Sequence, residues 1–321
     1  MSERISLAAA AEQLRAADRI AILTHQFPDG DTLGSAFALC RALRTLGKEA
    51  RVLCSDPLPE KYDYMWEALA VQDFVPDFVC AVDVADAKLL GENLASFADK
   101  VALCIDHHAT HREYAERLLL NADYAATAMI MVELLDELGV AIDTPMADCL
   151  FTGIATDTGC FKYSNVTPLT HRMAARLMEC GAHAEAINRA MFDIKSRARL
   201  SLEQMALNSI TYHYQERVAV MLITEEMMKQ SGAAEDDMEG LSPLPRQIEG
   251  VWVGFTLRQK ADGNYKVSAR TGNHADASVI CGLLGGGGHA RAAGCTLSGS
   301  VDEIVDCLLD ATARAVPRIT E

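Results

Sequence analysis

One histidine and two aspartates lie within a seven-residue stretch near the start of the chain, in the segment THQFPDGDTLGS. His25, Asp29 and Asp31 follow a short apolar run, RIAILTH, and precede a segment with helical spacing of apolar residues. Pro28 and Gly30 are typical of a tight turn, but a turn needs neither the histidine nor two carboxylates. Carboxylates and imidazoles are ligands for divalent cations, but this stretch alone is a weak signal, and His25 by itself could be a core histidine with satisfied hydrogen bonds.

Three further polar clusters follow apolar runs: Asp83 in AVDVAD, Asp106-His107-His108 in CIDHH, and Asp157 in GIATDTG. Taken singly, Asp83 or Asp157 is more often a helix cap or a turn residue. Taken together, carboxylates gathered at one place repel one another, and their repulsion costs free energy unless a cation lies between them. The combination therefore favours a metal centre over four separate structural features.

The chemistry of these side chains indicates which ions they would bind. Carboxylates with imidazoles and no thiolate favour Mn²⁺, with Mg²⁺ as the alternative. Five or six ligands suit two ions about 3.5–4 Å apart that share a bridging carboxylate. Asp83 stands alone after a central apolar run and is the candidate bridge. Such two-metal centres catalyse phosphoryl chemistry through an activated water.

Short apolar runs alternate with helical segments along the chain. This alternation predicts an α/β fold with a parallel, helix-covered sheet. Ligands of such sheets bind at the carboxyl ends of the strands, where the polar clusters fall. Later the runs RVAVMLIT, VWVGFTLRQ and YKVSART predict a smaller α/β domain with a hairpin turn at ADGN. The predicted organisation is a catalytic domain over 1–188, a helical linker over 189–212 and a substrate-binding domain over 213–321.

The second domain contains a glycine-rich loop, GGGGHARAAG, and an arginine at the end of a strand. Glycines let backbone N–H groups turn towards an anion, and Arg270 beside Thr271 is suited to gripping a phosphate. The alternatives are a flexible loop and a solvated surface arginine. The other histidines, among them His111, are interpreted as surface or capping residues.

The composition of the chain limits the kinds of substrate and cellular location that we expect. A net charge of −16 over 321 residues is unfavourable for binding long nucleic acid, which needs basic surface, and favours small phosphorylated substrates. No run of eighteen apolar residues occurs, so a membrane span is not expected. Ten cysteines without a C-x-x-C pair predict reduced, buried thiols and a cytoplasmic protein.

Five segments resemble, in order and spacing, the signatures of the DHH phosphoesterases that carry a DHHA1 second domain: HQFPDGDTLGS, AVDVAD, CIDHHAT, GIATDTGCFKYSN and GGGGHARAAG. The resemblance covers nearly the whole chain and is greatest to the short two-domain members. It implies that the metal ligands are His25, Asp29, Asp31, Asp83, His107 and Asp157, with Asp83 bridging. It also implies catalytic roles for Asp83, Asp106, His107 and His108, of which Asp106 orients the cluster and His108 faces the scissile phosphate.

The same resemblance implies that the substrate is bound by His108, Arg270, Thr271, Gly287, Gly288 and His289. Thr271 replaces a serine found in many members and keeps the hydroxyl. Phe27 occupies a loop position that is often small or polar in the family.

The resemblance implies a phosphodiesterase and phosphatase with two divalent ions that hydrolyses short oligoribonucleotides and small adenine nucleotides such as pAp and pApA to mononucleotides. Long duplex nucleic acid and membranes are not expected partners, and a homodimer is allowed. A dedicated cyclic di-AMP or pApA phosphodiesterase is the nearest alternative. A non-catalytic nucleotide-binding module would be expected to lack one or more of the metal ligands, and none of them is missing here.

Overall fold

The computed structural model describes residues 2–238 and 240–320 and divides into two compact units, the first ending at Ile194 and the second beginning at Lys195. The strands of the first unit are β1 Glu3–Arg4, β2 Ile20–Leu23, β3 Ala50–Leu53, β4 Phe78–Val82, β5 Leu103–Asp106 and β6 Arg117–Leu120. Its helices are α1 Leu7–Ala16, α2 Gly30–Thr45, α3 Thr127–Glu137, α4 Thr144–Asp157, α5 Pro168–Glu179 and α6 Ala184–Asn188, which continues as a π-helical turn, Arg189–Asp193.

The six strands of the first unit form one parallel sheet in the order β1-β6-β5-β4-β2-β3. Strand β2, which lies between β4 and β3, is buried along its whole length, as expected for a strand covered by helices on both faces. All the strands run the same way, so their carboxyl ends share one edge of the sheet. The predicted parallel, helix-covered sheet is confirmed, and it gains two short strands, β1 and β6, that the sequence did not indicate.

Local sequence explains where the helices of this unit begin. Asp29 caps α2 and Asp143 caps α4, where its carboxylate accepts a hydrogen bond from the Met146 N–H, and such caps satisfy N–H groups that the helix leaves free. Helices α2 and α4 pack very closely, because a Cβ placed on Gly34 would lie 2.2 Å from the carbonyl oxygen of Cys149. This close approach fixes α2, and with it the loop that carries Asp29 and Asp31.

The second unit has a mixed six-stranded sheet in the order β11-β12-β10-β9-β8-β7. Its strands are β7 Thr211–His213, β8 Val218–Ile223, β9 Val253–Gln259, β10 Tyr265–Thr271, β11 Gly287–His289 and β12 Ala292–Leu297. Its helices are α7 Arg197–Asn208, α8 Glu225–Ser231, α9 Ala277–Gly282 and α10 Val301–Ala315. Strands β8 and β9 are parallel and the other neighbours are antiparallel, which confirms a second, smaller α/β domain.

The glycine-rich segment differs from the predicted loop. Gly287–His289 pairs with β12 as an edge strand, so only part of the segment is a loop. Gly286 lies so close to β12 that a Cβ on Gly286 would be 2.2 Å from the Gly294 carbonyl oxygen. The boundaries predicted for the linker, 189–212, stay a prediction. Within residues 2–238 and 240–320, no helix has both the length and the apolar character that crossing a membrane requires.

Candidate active site and metal centre

The predicted metal ligands of the first unit meet at the carboxyl edge of its sheet. His25 lies two positions after β2, Asp83 follows β4 directly, and His107 follows β5. Asp83 has a left-handed backbone, with φ of +60°, a conformation that aspartate adopts more readily than most residues. Asp157 reaches the same place from the last position of α4.

The two aspartates of the opening loop are held by different helices. Asp29 caps α2, and its Oδ1 accepts hydrogen bonds from the N–H groups of Asp31 (3.0 Å) and Thr32 (3.1 Å). Asp31 is fully buried, and its two oxygens accept hydrogen bonds from the first N–H groups of α3, those of Thr127 (2.6 Å) and Ala128 (2.8 Å). A helix N-terminus stabilises negative charge, but burial and the neighbouring Asp83 and Asp157 outweigh it and raise the pKa of Asp31 well above its usual range.

Potential ligand atoms form three groups, and within each group they lie within 4.8 Å of one another. The groups are His25, Asp29 and Asp83; Asp31, His107 and Asp157; and Asp83, His107 and His108. The two oxygens of Asp83 face opposite sides, since Oδ2 is 3.7 Å from His25 Nε2 and Oδ1 is 3.7 Å from His107 Nε2. A carboxylate between two ligand groups is what a bridging ligand requires.

The orientation of the histidine rings fits metal binding. The Nδ1 atoms lie 2.7 Å from the Gln26 carbonyl oxygen in His25 and 3.1 Å from the Tyr124 carbonyl oxygen in His107. A carbonyl only accepts, so each Nδ1 carries a hydrogen, and in the neutral ring Nε2 presents a lone pair to the carboxylates. Among the described residues, the buried Nε2 of His107 has no hydrogen-bond partner. Lone pairs and carboxylates converge here, which is stable only with positive charge between them.

The pKa values of Asp83 and His107 also indicate that the site is stabilised by positive charge. Burial raises the pKa of Asp83 to about 7, assisted by the neighbouring Asp29 and Asp157. Burial would lower the pKa of His107, but Asp157, Asp31 and Asp83 outweigh it and raise the pKa to about 10. Without a cation the site therefore takes up protons, and a bound divalent ion would supply the same charge.

Asp106 holds the DHH segment in place rather than facing the ligand groups. Its Oδ1 accepts hydrogen bonds from the His107 N–H (2.8 Å) and from Nδ1 of His108 (2.8 Å), and its Oδ2 from Nδ1 of His111 (2.5 Å). Burial would raise the pKa of Asp106, but the hydrogen bonds from His108 and His111 hold it well below its usual range. Asp106 therefore fixes the ring of His108 and leaves Nε2 of that ring for other contacts.

The interpretation of His111 as a surface or capping residue is wrong. Its side chain is 1% exposed and is bonded to Asp106. The sequence offers no periodic signal for this contact, because the loop after β5 must turn back before His111 can reach a residue five positions earlier.

Thr127 is a further site residue that the sequence analysis missed. Its N–H binds Asp31, and its hydroxyl donates to Asp83 Oδ1 at 2.8 Å. A threonine in the first turn of a helix is common for local reasons, so only the packing of α3 against the strand ends reveals this role. Thr127 thereby connects the aspartates of the two ligand groups.

The metal-ligand groups open into a cavity of about 320 Å³. It is lined by His25, Gln26, Phe27, Asp29, Asp83, Leu89, His108 and Asp157. The side chain of His108 is 41% exposed, and Phe27 is 80% exposed with a positive φ of +54°. A small substrate can therefore reach the carboxylates beside an imidazole and an aromatic ring.

The substrate-binding residues predicted in the second unit lie around the end of β10. Arg270 is partly buried, and its guanidinium donates to the Ala269 carbonyl (3.0 Å) and to the Ser242 hydroxyl (3.4 Å). Thr271 is buried, and its hydroxyl donates to the Ala290 carbonyl at 2.7 Å. This bond ties the β11–β12 connection to β10, while Gly287, Gly288 and His289 lie exposed on β11. Their binding roles stay predictions.

Comparison with known proteins agrees with this architecture. Residues 19–154 match the model of the DHH family, N-terminal domain, and residues 215–314 match the model of the DHHA1 domain. A protein of Thermus thermophilus, named bifunctional oligoribonuclease and PAP phosphatase NrnA, is 35% identical over 318 residues, which cover 96% of this chain and 94% of that protein.

Two solved structures show the same fold. An exopolyphosphatase-related protein from Bacteroides fragilis has a TM-score of 0.87 at 22% identity, with 98% of both chains covered. The exonuclease RecJ bound to manganese has a TM-score of 0.57 at 16% identity, covering 97% of this chain and 94% of that one. With both domain models matched and a relative 35% identical over nearly its full length, the chain belongs to the DHH family of phosphoesterases that carry a DHHA1 domain.

Proposed function

We propose that the chain is a divalent-metal-dependent phosphodiesterase and phosphatase that hydrolyses short oligoribonucleotides and small nucleotides such as pAp and pApA to mononucleotides. The observation that carries this proposal is the position of Asp83, whose two oxygens face two separate groups of ligand atoms. The name of the relative from Thermus thermophilus supports the substrate class.

Different residues of the chain would hold each of the two ions. His25 and Asp29 would hold one ion, and Asp31, His107 and Asp157 the other, with Asp83 shared between them. Ions bound there would supply positive charge to the phosphoryl oxygens and acidify the attacking water. The mixture of carboxylates and imidazoles favours Mn²⁺, with Mg²⁺ as the alternative.

His108 is the residue best placed to contact the reacting phosphate. Asp106 fixes its Nδ1 at 2.8 Å, and the ring lines the cavity beside Asp83. Nε2 is then the nitrogen that can hydrogen bond to a phosphoryl oxygen. A ring held by a buried carboxylate reaches this position with little loss of conformational freedom.

The net charge of the protein favours small substrates over long ones. The net charge of −16 repels a long polyanion, whereas a di- or trinucleotide presents few phosphates.

All ten cysteines are free thiols, which fits a reducing compartment such as the cytoplasm. A homodimer stays a prediction.

The test is hydrolysis by the full chain, with Mn²⁺, of labelled RNA of two to ten nucleotides, pAp, pApA and cyclic di-AMP. Asp83→Asn should abolish turnover of every substrate that the parent cleaves. Asp86→Asn is the matched control, because Asp86 caps the nearby 3₁₀-helix Ala87–Leu90 and asparagine caps as well as aspartate does. Full turnover by Asp83→Asn, or turnover that survives removal of metal by EDTA, would refute the proposal.

The substrate panel also separates the alternatives. Turnover of cyclic di-AMP or pApA without turnover of the RNA series would replace the proposal with a dedicated dinucleotide phosphodiesterase. Tight binding of these nucleotides without turnover at any metal concentration would indicate a non-catalytic module.

A further inference from the structure

Phe27 is an exposed aromatic residue at the cavity beside the metal-ligand groups. The nine phenylalanines of the chain all lie within the described residues, and Phe27 alone is exposed, at 80%. It lines the cavity together with His108 and Asp157. A large apolar side chain in water lacks the free energy that burial would give, so a ligand that covers this ring gains that free energy.

The backbone of Phe27 has an unfavourable conformation that other segments hold in place. Its φ is +54°, whereas a residue before proline, as Phe27 is before Pro28, prefers an extended backbone with negative φ. The Phe27 N–H donates to Asp56 Oδ2 at 2.8 Å. The neighbouring Gln26 N–H donates to the Leu89 carbonyl at 2.6 Å. Backbone strain that the surrounding structure maintains is typical of positions that contact a ligand.

The cavity has a charged part and an apolar part. Asp83, Asp157 and His108 provide the charged part. Phe27 and Leu89, which is 38% exposed, provide the apolar part. A nucleotide is divided in the same way, since its phosphate is charged and its base has two flat apolar faces. A substrate whose phosphate lies at the metal-ligand groups can therefore place its base against the apolar part.

We propose that Phe27 determines substrate specificity by stacking its ring on the nucleobase next to the reacting phosphate. This inference rests on the proposed function, because it assumes a nucleotide at the metal-ligand groups. An aromatic ring can stack on any base, since every base has a π-face, and such stacking contributes substantially to binding. The ring would thus select nucleotides over phosphate esters that have no base.

Hydrolysis of a substrate with and without its base tests this contact. The full chain with Mn²⁺ is given pAp and the abasic analogue of pAp, in which hydrogen replaces adenine at C1′. Phe27→Leu keeps an apolar side chain but loses the ring, so kcat/KM for pAp should fall about tenfold, mainly through KM. The value for the abasic analogue should not change. Phe27→Tyr keeps the ring and should stay within about threefold of the parent on both substrates.

Tyr212→Leu is the matched control for the loss of an exposed ring. Tyr212 is 48% exposed and lies on β7, at the opposite edge of the second sheet from the glycine-rich strand β11. This variant should hydrolyse both substrates like the parent. An equal loss on pAp and its abasic analogue in Phe27→Leu would show a general structural role and overturn the proposal, as would an unchanged kcat/KM for pAp.

A binding measurement separates this inference from the proposed function. Phe27→Trp places a fluorescent ring at the same position, and a base that stacks on an indole quenches its fluorescence. With Mg²⁺ added, AMP should quench the fluorescence of Phe27→Trp more than that of the parent, whose own tryptophans are Trp66 and Trp252. Ribose 5-phosphate should not.

The two proposals therefore fail in different ways. Base-dependent quenching in Phe27→Trp, with no hydrolysis of any nucleotide by the parent, refutes the proposed function and supports the contact of Phe27 with a base. Hydrolysis by the parent, with no base-dependent quenching in Phe27→Trp, refutes the contact alone. Absence of both hydrolysis and quenching refutes both.

Discussion

Replacement of Thr127 by valine should weaken metal binding without touching any metal ligand. The Thr127 hydroxyl makes the one hydrogen bond that the Asp83 carboxylate accepts from the described residues, at 2.8 Å. Valine has nearly the same shape and keeps the backbone N–H that binds Asp31. The substitution therefore removes one contact, and the Asp83 carboxylate becomes free to rotate away from the two ligand groups.

The expected size of the effect follows from the kind of contact that is lost. Residues that orient a metal ligand typically change metal affinity about tenfold to a hundredfold when they are replaced. Thr127 is the sole anchor of the Asp83 carboxylate among the described residues, so the effect should lie in the upper part of this range. At the usual conversion, that is a loss of about 2–3 kcal/mol in binding free energy.

Calorimetric titration of Mn²⁺ at pH 8 measures the effect. At this pH Asp83, whose pKa is raised to about 7, is mostly ionised in the metal-free protein. His107, whose pKa is raised to about 10, must release its proton when metal binds, so parent and variants are titrated at the same pH in the same buffer. Thr127→Ser keeps the hydroxyl and should bind within about threefold of the parent. Thr312→Val removes a buried hydroxyl that donates to the Leu308 carbonyl in α10, in the other unit of the chain, and should not change affinity. Parental affinity in a folded Thr127→Val would refute the role of this bond.

Three further outcomes are expected. Asp29→Ala and Asp31→Ala should each abolish one of the two Mn²⁺ binding events in a titration, because the two side chains belong to different ligand groups; retention of both events in either variant would contradict the assignment. His111→Phe should lower the free energy of unfolding by about 1.5–3 kcal/mol, since Asp106 loses a charge-assisted partner, and an unchanged urea midpoint would contradict this. Gly34→Ala should lower it by about 1–3 kcal/mol or more, because its Cβ would meet the Cys149 carbonyl; Gly282→Ala, with open space around it, should not.

Several features of the site could be predicted from local sequence because they depend on short-range rules. Apolar runs that close on His25, Asp83 and Asp106 indicate strands, and parallel strands must bring their carboxyl ends to one edge. Asp29 caps the helix that its own loop begins, which is a contact within three residues. The gathering of acidic side chains thus follows from strand order and direction, without knowledge of packing.

Other features could not be predicted because their partners are distant in the chain or depend on a particular turn. Asp31 and Thr127 are 96 positions apart, and no periodicity connects them. His111 reaches Asp106 only through the path of a loop.

The ligand types, their placement after strands and the two-domain α/β class could all be predicted before folding was considered, since they depend on side-chain chemistry and on the periodicity of single segments. Packing between distant segments decides that the two oxygens of Asp83 face two groups and that Thr127 and His111 hold the acidic residues. The physical reason is that hydrogen bonds and like-charge contacts act over a few ångströms. Their energy therefore depends on which distant segments packing brings within reach, and a single segment does not encode that.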